Sequence, residues 1–128
     1  MNGLILIVDD DPAIRMMLRM MLKLDGFTIQ EAEDGVDALE QIKIHPPDLL
    51  ILDVMMPRMD GVTLCKLLRE RPETKTLPII LLSGKVQPEA EREGLAAGAN
   101  RYLHKPTPRT ILNRAVFSLL EEVTYAQP

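Results

Sequence analysis

Residues 49–57 read Leu49-Leu50-Ile51-Leu52-Asp53-Val54-Met55-Met56-Pro57, an apolar run that ends on a carboxylate and resumes only as far as a proline. Four apolar residues are too few for a helix, and an unbroken run, rather than an alternating one, is what a strand covered on both faces needs. The same form recurs outward along the chain. Leu4-Ile5-Leu6-Ile7-Val8 leads into Asp9-Asp10, Pro78 to Leu82 leads into Ser83, and further runs span Phe27 to Glu31 and Arg101 to His104.

The segments between these runs carry helical period. The first opens at Asp11-Pro12, an N-cap followed by proline at the first helical position, and stops at Asp25-Gly26. The second begins after Asp34 and ends before His45-Pro46-Pro47, where proline cannot continue it. A third is expected from Val62 to Arg71, with Leu64, Leu67 and Leu68 on one face, and a fourth from near Pro88 to Ala97, weakened by Gly94. The last begins at Thr107-Pro108 as cap and proline, and continues through Ile111, Leu112, Ala115, Val116, Leu119 and Leu120. Five strands alternating with five helices predict an α/β fold on a parallel sheet with right-handed crossovers.

The 128 residues fit one domain, expected over 1–128 with a core from about 4 to 123. Hydrophobic residues at 46% and charged residues at 27% exclude a disordered or fibrous chain. Lys and Arg number 15 against 19 Asp and Glu, a formal charge of −4 with no basic run, so nucleic acid is not an expected partner. The single cysteine, Cys65, fits a reducing compartment and reads as a small buried hydrophobe. No stretch approaches the ~20 apolar residues of a membrane span, and the run from Leu4 to Val8 is too short for a signal-peptide core. The chain is therefore expected to be soluble and cytoplasmic.

In open α/β sheets, ligands bind beyond the carboxyl ends of the strands. Here those ends carry Asp9-Asp10, Asp53, Ser83 and Lys105-Pro106. The intervals from Asp53 to Ser83 and from Ser83 to Lys105 each hold one helix and one strand, so all five side chains are expected on one edge. Three carboxylates about 5 Å apart repel by about 3 kcal/mol per pair at an effective dielectric of 20, whereas a divalent cation about 4 Å away returns about 8 kcal/mol to each. The cation wins, and an all-oxygen site completed by water suits Mg²⁺, with Mn²⁺ as a substitute. Asp11 reads as a helix cap, but Asp9 and Asp10 do not both cap one helix, and Asp53 precedes an apolar run. A metal, a carboxylate nucleophile and a lysine together point to phosphoryl transfer.

Taken in order, Val8-Asp9-Asp10, Leu52-Asp53-Val54-Met55-Met56-Pro57 with Met59-Asp60-Gly61, Leu82-Ser83-Gly84, Gly98-Ala99 and Tyr102-Leu103-His104-Lys105-Pro106 resemble the receiver domains of two-component response regulators. The resemblance runs from Leu4 to about Val123. It implies a flavodoxin-like (βα)5 three-layer sandwich with a five-stranded parallel sheet in the order 2-1-3-4-5. It also implies that Asp53 takes a phosphoryl group from a sensor histidine kinase or histidine phosphotransfer protein, as a regulatory phosphoacceptor rather than an enzyme. Asp9, Asp10, Asp53 and the backbone carbonyl of Met55 would hold Mg²⁺, Lys105 would pair with a phosphoryl oxygen, and the Ser83 hydroxyl would bond another. The Lys105-Pro106 bond is expected to be cis.

By the same resemblance, Ser83 and Tyr102 would form a switch, with Tyr102 moving in from an outward rotamer and altering the fourth helix, fifth strand and fifth helix. A downstream protein target or output domain would read that surface, the receiver being a monomer or a phosphorylation-dependent dimer. Met55 and Lys85, two residues beyond Asp53 and Ser83, offer no general base at neutral pH, so a phosphoryl lifetime of at least minutes is expected. A hydrolase of the haloacid dehalogenase type requires a second carboxylate two residues after its nucleophile, where this chain has Met55. The remaining alternative is a non-phosphorylated receiver-like interaction module, against which the complete set of site residues argues.

In the first helix, Ile14, Met17, Leu18, Met21 and Leu22 form the expected core stripe, which turns Met16 and Met20 outward beside Arg15, Arg19 and Lys23. In the family this helix docks on the kinase's four-helix phosphotransfer bundle. Ile14, Met16, Met17 and Met20 are thus candidate partner contacts, since methionine side chains adapt to varied surfaces. His45 and His104 read as structural or exposed rather than as metal ligands.

Overall fold

Unbroken apolar strands need cover on both faces, and the helices supply it. The computed structural model describes residues 3–126, with side chains through Glu122. Its elements are β1 (Leu4–Val8), α1 (Pro12–Leu24), β2 (Thr28–Ala32), α2 (Gly35–Ile44), β3 (Leu49–Asp53), α3 (Gly61–Glu70), β4 (Ile79–Ser83), α4 (Pro88–Ala96), β5 (Arg101–His104) and α5 (Arg109–Ala126). All strand pairs are parallel, in the order β2-β1-β3-β4-β5, as the resemblance implies.

Alternation along the inner strands divides the core in two. Ile5, Ile7, Leu49, Ile51, Ile80 and Leu82 pack against Leu18 and Leu22 of α1 and Leu112, Val116 and Leu119 of α5. Leu6, Val8, Leu50, Leu52, Ile79 and Leu81 face the other way, onto Ala38 and Ile42 of α2, Leu64 and Leu68 of α3, and Ala90 of α4. The result is a three-layer sandwich, and every residue of β3 and β4 is buried. Among the described residues no helix is long and apolar enough to cross a membrane.

Boundaries depart from expectation where a backbone group is claimed elsewhere. Phe27 N–H donates to the Leu22 carbonyl at the end of α1, so β2 begins at Thr28 and reaches Ala32. Asp53 and Ser83 join their strands as the last ladder residues, which carries the carboxylate and the hydroxyl to one sheet edge. Asp60 accepts from Thr63 N at 2.8 Å and starts α3 at Gly61, one residue early. Thr107 does not cap α5. Its hydroxyl donates to the His104 carbonyl at 2.7 Å, and the Pro108 carbonyl accepts from Ile111 and Leu112 to open the helix.

On α1, Leu18 and Leu22 are buried, and Ile14 and Met21 pack partly against the core as the stripe requires. Met17 departs from it at 40% exposure. That position sits at the rim of the stripe, where it lines a pocket with Leu82, Pro106 and Thr107. Cys65 is fully buried, as expected, and burial pushes its thiol pKa up.

Candidate functional site

Each residue at the carboxyl edge is placed by the strand it ends or follows. Asp9 N–H donates to the Ala32 carbonyl of β2, which holds the turn after β1, and Asp9 and Asp53 are both buried while Asp10 is exposed. One carboxylate oxygen from each of the three lies within 4.8 Å of the others. Lys105 reaches the same place from β5. Its N–H bonds the Ser83 carbonyl at 2.8 Å, its bond to Pro106 is cis, and its Nζ lies 2.9 Å from Asp9 Oδ2 and 3.0 Å from Asp53 Oδ1.

The two oxygens of Asp53 are not equivalent. Oδ1 accepts from Lys105 Nζ and, at 3.3 Å, from Met55 N–H. Oδ2 takes no hydrogen bond among the described residues, which leaves a lone pair for attack. Burial raises the Asp53 pKa, the Lys105 hydrogen bond opposes that, and the Asp9 charge adds to the rise. For Lys105, burial works against the ammonium, but the hydrogen bonds it donates to Asp9 and Asp53 outweigh it and the pKa is raised. Three carboxylates face one ammonium, so the cluster keeps an excess of negative charge on oxygen donors. That donor set fits Mg²⁺, a hard cation that takes few protein oxygens and keeps several waters.

Ser83 is fully buried beside this cluster, and its Oγ accepts from Lys85 N–H at 2.9 Å. Tyr102 corrects the expectation of an outward rotamer. It is buried at 7% exposure, and its hydroxyl donates to the Lys85 carbonyl at 2.9 Å. The reason is local: Gly94 of α4 lies directly against the ring and leaves room for it. Ser83 and Tyr102 therefore grip the two backbone groups of one residue, Lys85, in the β4–α4 loop. His104 is exposed, with its ring 5.5 Å from that of Tyr102.

Ile14, Met16, Met17 and Met20 gather beside the site. Met16 and Met20 are 49% and 60% exposed, and Ile14 and Met17 join Leu82, Lys105, Pro106 and Thr107 around a pocket of about 270 Å³. Arg15 and Arg19 do not extend outward with the methionines. Both pair with Glu31 of β2, and Arg15 Nη1 also donates to the Asp9 carbonyl at 2.6 Å. Sequence reasoning missed this tether and the ion pair of Arg58 with Asp34. The arginines at 15 and 19, one turn apart and followed by a glutamate on β2, were the available signal for the first.

The family model for the response regulator receiver domain matches residues 5–117. The response regulator MprA of Mycobacterium ulcerans is 47% identical over 106 residues, 83% of this chain and 45% of that protein. This chain thus spans under half the length of that curated relative. The receiver domain of a signal transduction histidine kinase from Syntrophus aciditrophicus superposes with a TM-score of 0.89 at 36% identity, over 94% of this chain and 92% of that one. The receiver domain of Francisella response regulator 1452 gives 0.89 at 33% identity, over 95% and 99%. A profile match across nearly the whole sheet, and structural likeness at this identity, place the chain in the response regulator receiver domain family.

Proposed function

We propose that Asp53 is the phosphoacceptor of a regulatory receiver domain, with Asp9, Asp10, Ser83, Lys105 and the Met55 carbonyl as its working groups. The observation that carries the reading is the asymmetry of Asp53, whose Oδ1 is held by Lys105 and Met55 while Oδ2 is left without a donor. In the transfer, Oδ2 attacks phosphorus, the P–N bond to a histidine breaks, and its electron pair stays on the imidazole. Lys105 keeps Asp53 oriented and then faces the new charge on the phosphoryl oxygens as a compact cation. The Ser83 hydroxyl turns its proton to another of those oxygens, which alters its bond to Lys85 N–H. Asp9, Asp10, Asp53 and the Met55 carbonyl would hold Mg²⁺, whose charge offsets that of the phosphoryl group.

The kinase or phosphotransfer partner docks on Ile14, Met16, Met17 and Met20, beside the pocket that Lys105 and Pro106 share. Ser83, Tyr102 and the Lys85 backbone between them carry the change to the α4-β5-α5 surface, where a target, an output domain or a second receiver reads it. We assign the whole chain to one cytoplasmic receiver with its core over 4–123, of which the side chains from residue 123 lie outside the described residues.

Incubation with acetyl phosphate and Mg²⁺ followed by intact mass tests the central step. The expected result is a gain of about 80 Da in wild type, absent in Asp53→Asn and lost when metal is chelated beforehand. No gain in a folded wild type returns the chain to a receiver-like interaction module. Since neither Met55 nor Lys85 supplies a base for water attack, the added mass is expected to persist for minutes or longer, and decay within seconds contradicts that assignment.

A further inference from the structure

We propose that Arg58 is a positioning residue that holds the Met55 end of the β3–α3 loop in place through Asp34; this rests on the reading of the Met55 carbonyl as a metal ligand. The loop spans residues 54–60. Its ends are fixed by backbone bonds, Val54 N–H to the Leu82 carbonyl and Gly61 N–H to the Val54 carbonyl. Its middle carries a backbone bond only within the loop, from Met59 N–H to the Pro57 carbonyl at 2.7 Å, which ties it to no other element.

Arg58 has φ 66°, the left-handed region, and it is the one non-glycine residue there among the described residues. Glycine or asparagine suits that backbone better than arginine. What arginine adds is the side chain. Its Nε donates to Asp34 Oδ2 at 2.8 Å, and Nη2 pairs with the same oxygen.

Asp34 is an anchor rather than a surface carboxylate. It is 4% exposed, and its other oxygen accepts from Asp37 N–H at 2.9 Å, capping α2. The Asp37 hydrogen bond, opposed by burial and supported by Arg58, holds its pKa below the ordinary carboxylate value. A second contact closes the same seam, since a Cβ on Gly35 would come within 2.8 Å of Met59 Cβ. Apart from Asp60, which caps α3 at the loop's end, no other side chain of the loop makes a hydrogen bond to another element among the described residues. Met55 lies three residues before Arg58 and is itself exposed, with only its long bond to Asp53 Oδ1 on the near side. The guanidinium is thus the polar tether that fixes the far side of the peptide offering the carbonyl.

The test is titration of metal-free protein with Mn²⁺, following the signal of free Mn²⁺ by electron paramagnetic resonance, on wild type, Arg58→Ala, Arg58→Lys, Arg58→Gly and Asp10→Ala. Groups that orient a metal ligand typically change affinity by about tenfold or more. Arg58→Ala is expected to weaken Mn²⁺ by about tenfold, and Arg58→Lys to recover part of the loss by restoring a cation to Asp34. Arg58→Gly, which suits the backbone yet lacks the tether, is expected to bind as weakly as Arg58→Ala. At saturating Mn²⁺ the acetyl phosphate rate of each Arg58 variant should stay within about twofold of wild type, a separation that general loss of fold would not give. Arg58→Ala or Arg58→Gly binding as tightly as wild type, while Asp10→Ala does not, overturns the role of Arg58 and leaves the metal site standing. A folded wild type that binds no Mn²⁺ overturns both.

Discussion

Gly61 sets the position of Asp53 by close approach. A Cβ there would lie 2.3 Å from the Asp53 carbonyl oxygen and 3.0 Å from Val54 Cα, and both neighbours are backbone atoms that cannot swing aside. Gly61→Ala is therefore expected to destabilise by about 3 kcal/mol, the upper range for overpacking, despite the gain in helix propensity at the start of α3. The displaced β3 end should also lose acetyl phosphate reactivity by more than the stability change explains. A urea midpoint equal to that of wild type would contradict this. Glycine after Asp60 is legible in the sequence as part of a motif, but its reason is not. The contact it permits is between backbone segments that only the folded turn brings together.

At the scale of elements, α4 and α1 show opposite outcomes for sequence reasoning. Gly94 made α4 the weakest helix on propensity, yet the helix forms from Pro88 to Ala96 because Gly94 is buried against Leu81 and Tyr102. A Cβ there would sit 2.8 Å from Leu81 Cδ1 and 3.0 Å from Tyr102 Cδ2. Gly94→Ala gains about 1 kcal/mol of propensity and loses about 1–3 kcal/mol to overpacking, so net destabilisation and a displaced Tyr102 ring are expected. Denaturant unfolding and the tyrosine ring resonances check this, and a more stable variant with an unmoved ring would refute it. On α1 the periodicity located Leu18 and Leu22 but not Met17, because a stripe at helical spacing marks the core side and not its rim. It also left Arg15 and Arg19 beside the exposed methionines, whereas Glu31 draws both inward. With the arginines committed to β2, Met16 and Met20 are the free apolar contacts of the face. Met16→Ser with Met20→Ser should slow phosphotransfer from a cognate histidine kinase by about tenfold, a loss typical of truncated apolar anchors, and leave the acetyl phosphate rate unchanged. Equal slowing with both donors would place the effect in the site rather than in docking.

Across the whole molecule, what was legible is what sequence order alone determines. Strand ends fall on one edge of a parallel sheet, so Asp9, Asp10, Asp53, Ser83 and Lys105 followed from counting elements, and the structure brings Lys105 onto Asp9 and Asp53. Side-chain rotamers and loop-to-loop ties do not follow from order, which is why buried Tyr102 and the Arg58–Asp34 pair were not legible. The same edge makes stability depend on pH in two opposed ways. Asp34 has its pKa lowered from 3.8, so its contribution is present above that value and is lost as pH falls through its depressed native value. Asp53 has its pKa raised from 3.8, chiefly by burial, so the native state holds its proton to higher pH than the unfolded chain. Stability is then lost as pH rises from 3.8 through the raised native value. Asp53→Asn removes that cost while Lys105 keeps Asp9 as a partner, so in chelator the variant should melt above wild type at pH 7. The gap should close as pH falls below 3.8, where wild type is protonated in both states. Added Mg²⁺ should reverse the order, since a ligand at a hundredfold over its Kd stabilises the binding state by about 2.7 kcal/mol and wild type holds the fuller set of carboxylates. Thermal scans of both proteins at pH 3.5 and 7, with chelator and with Mg²⁺, check all three parts, and a variant that melts below wild type in chelator at pH 7 would show that the Lys105 pairing outweighs burial.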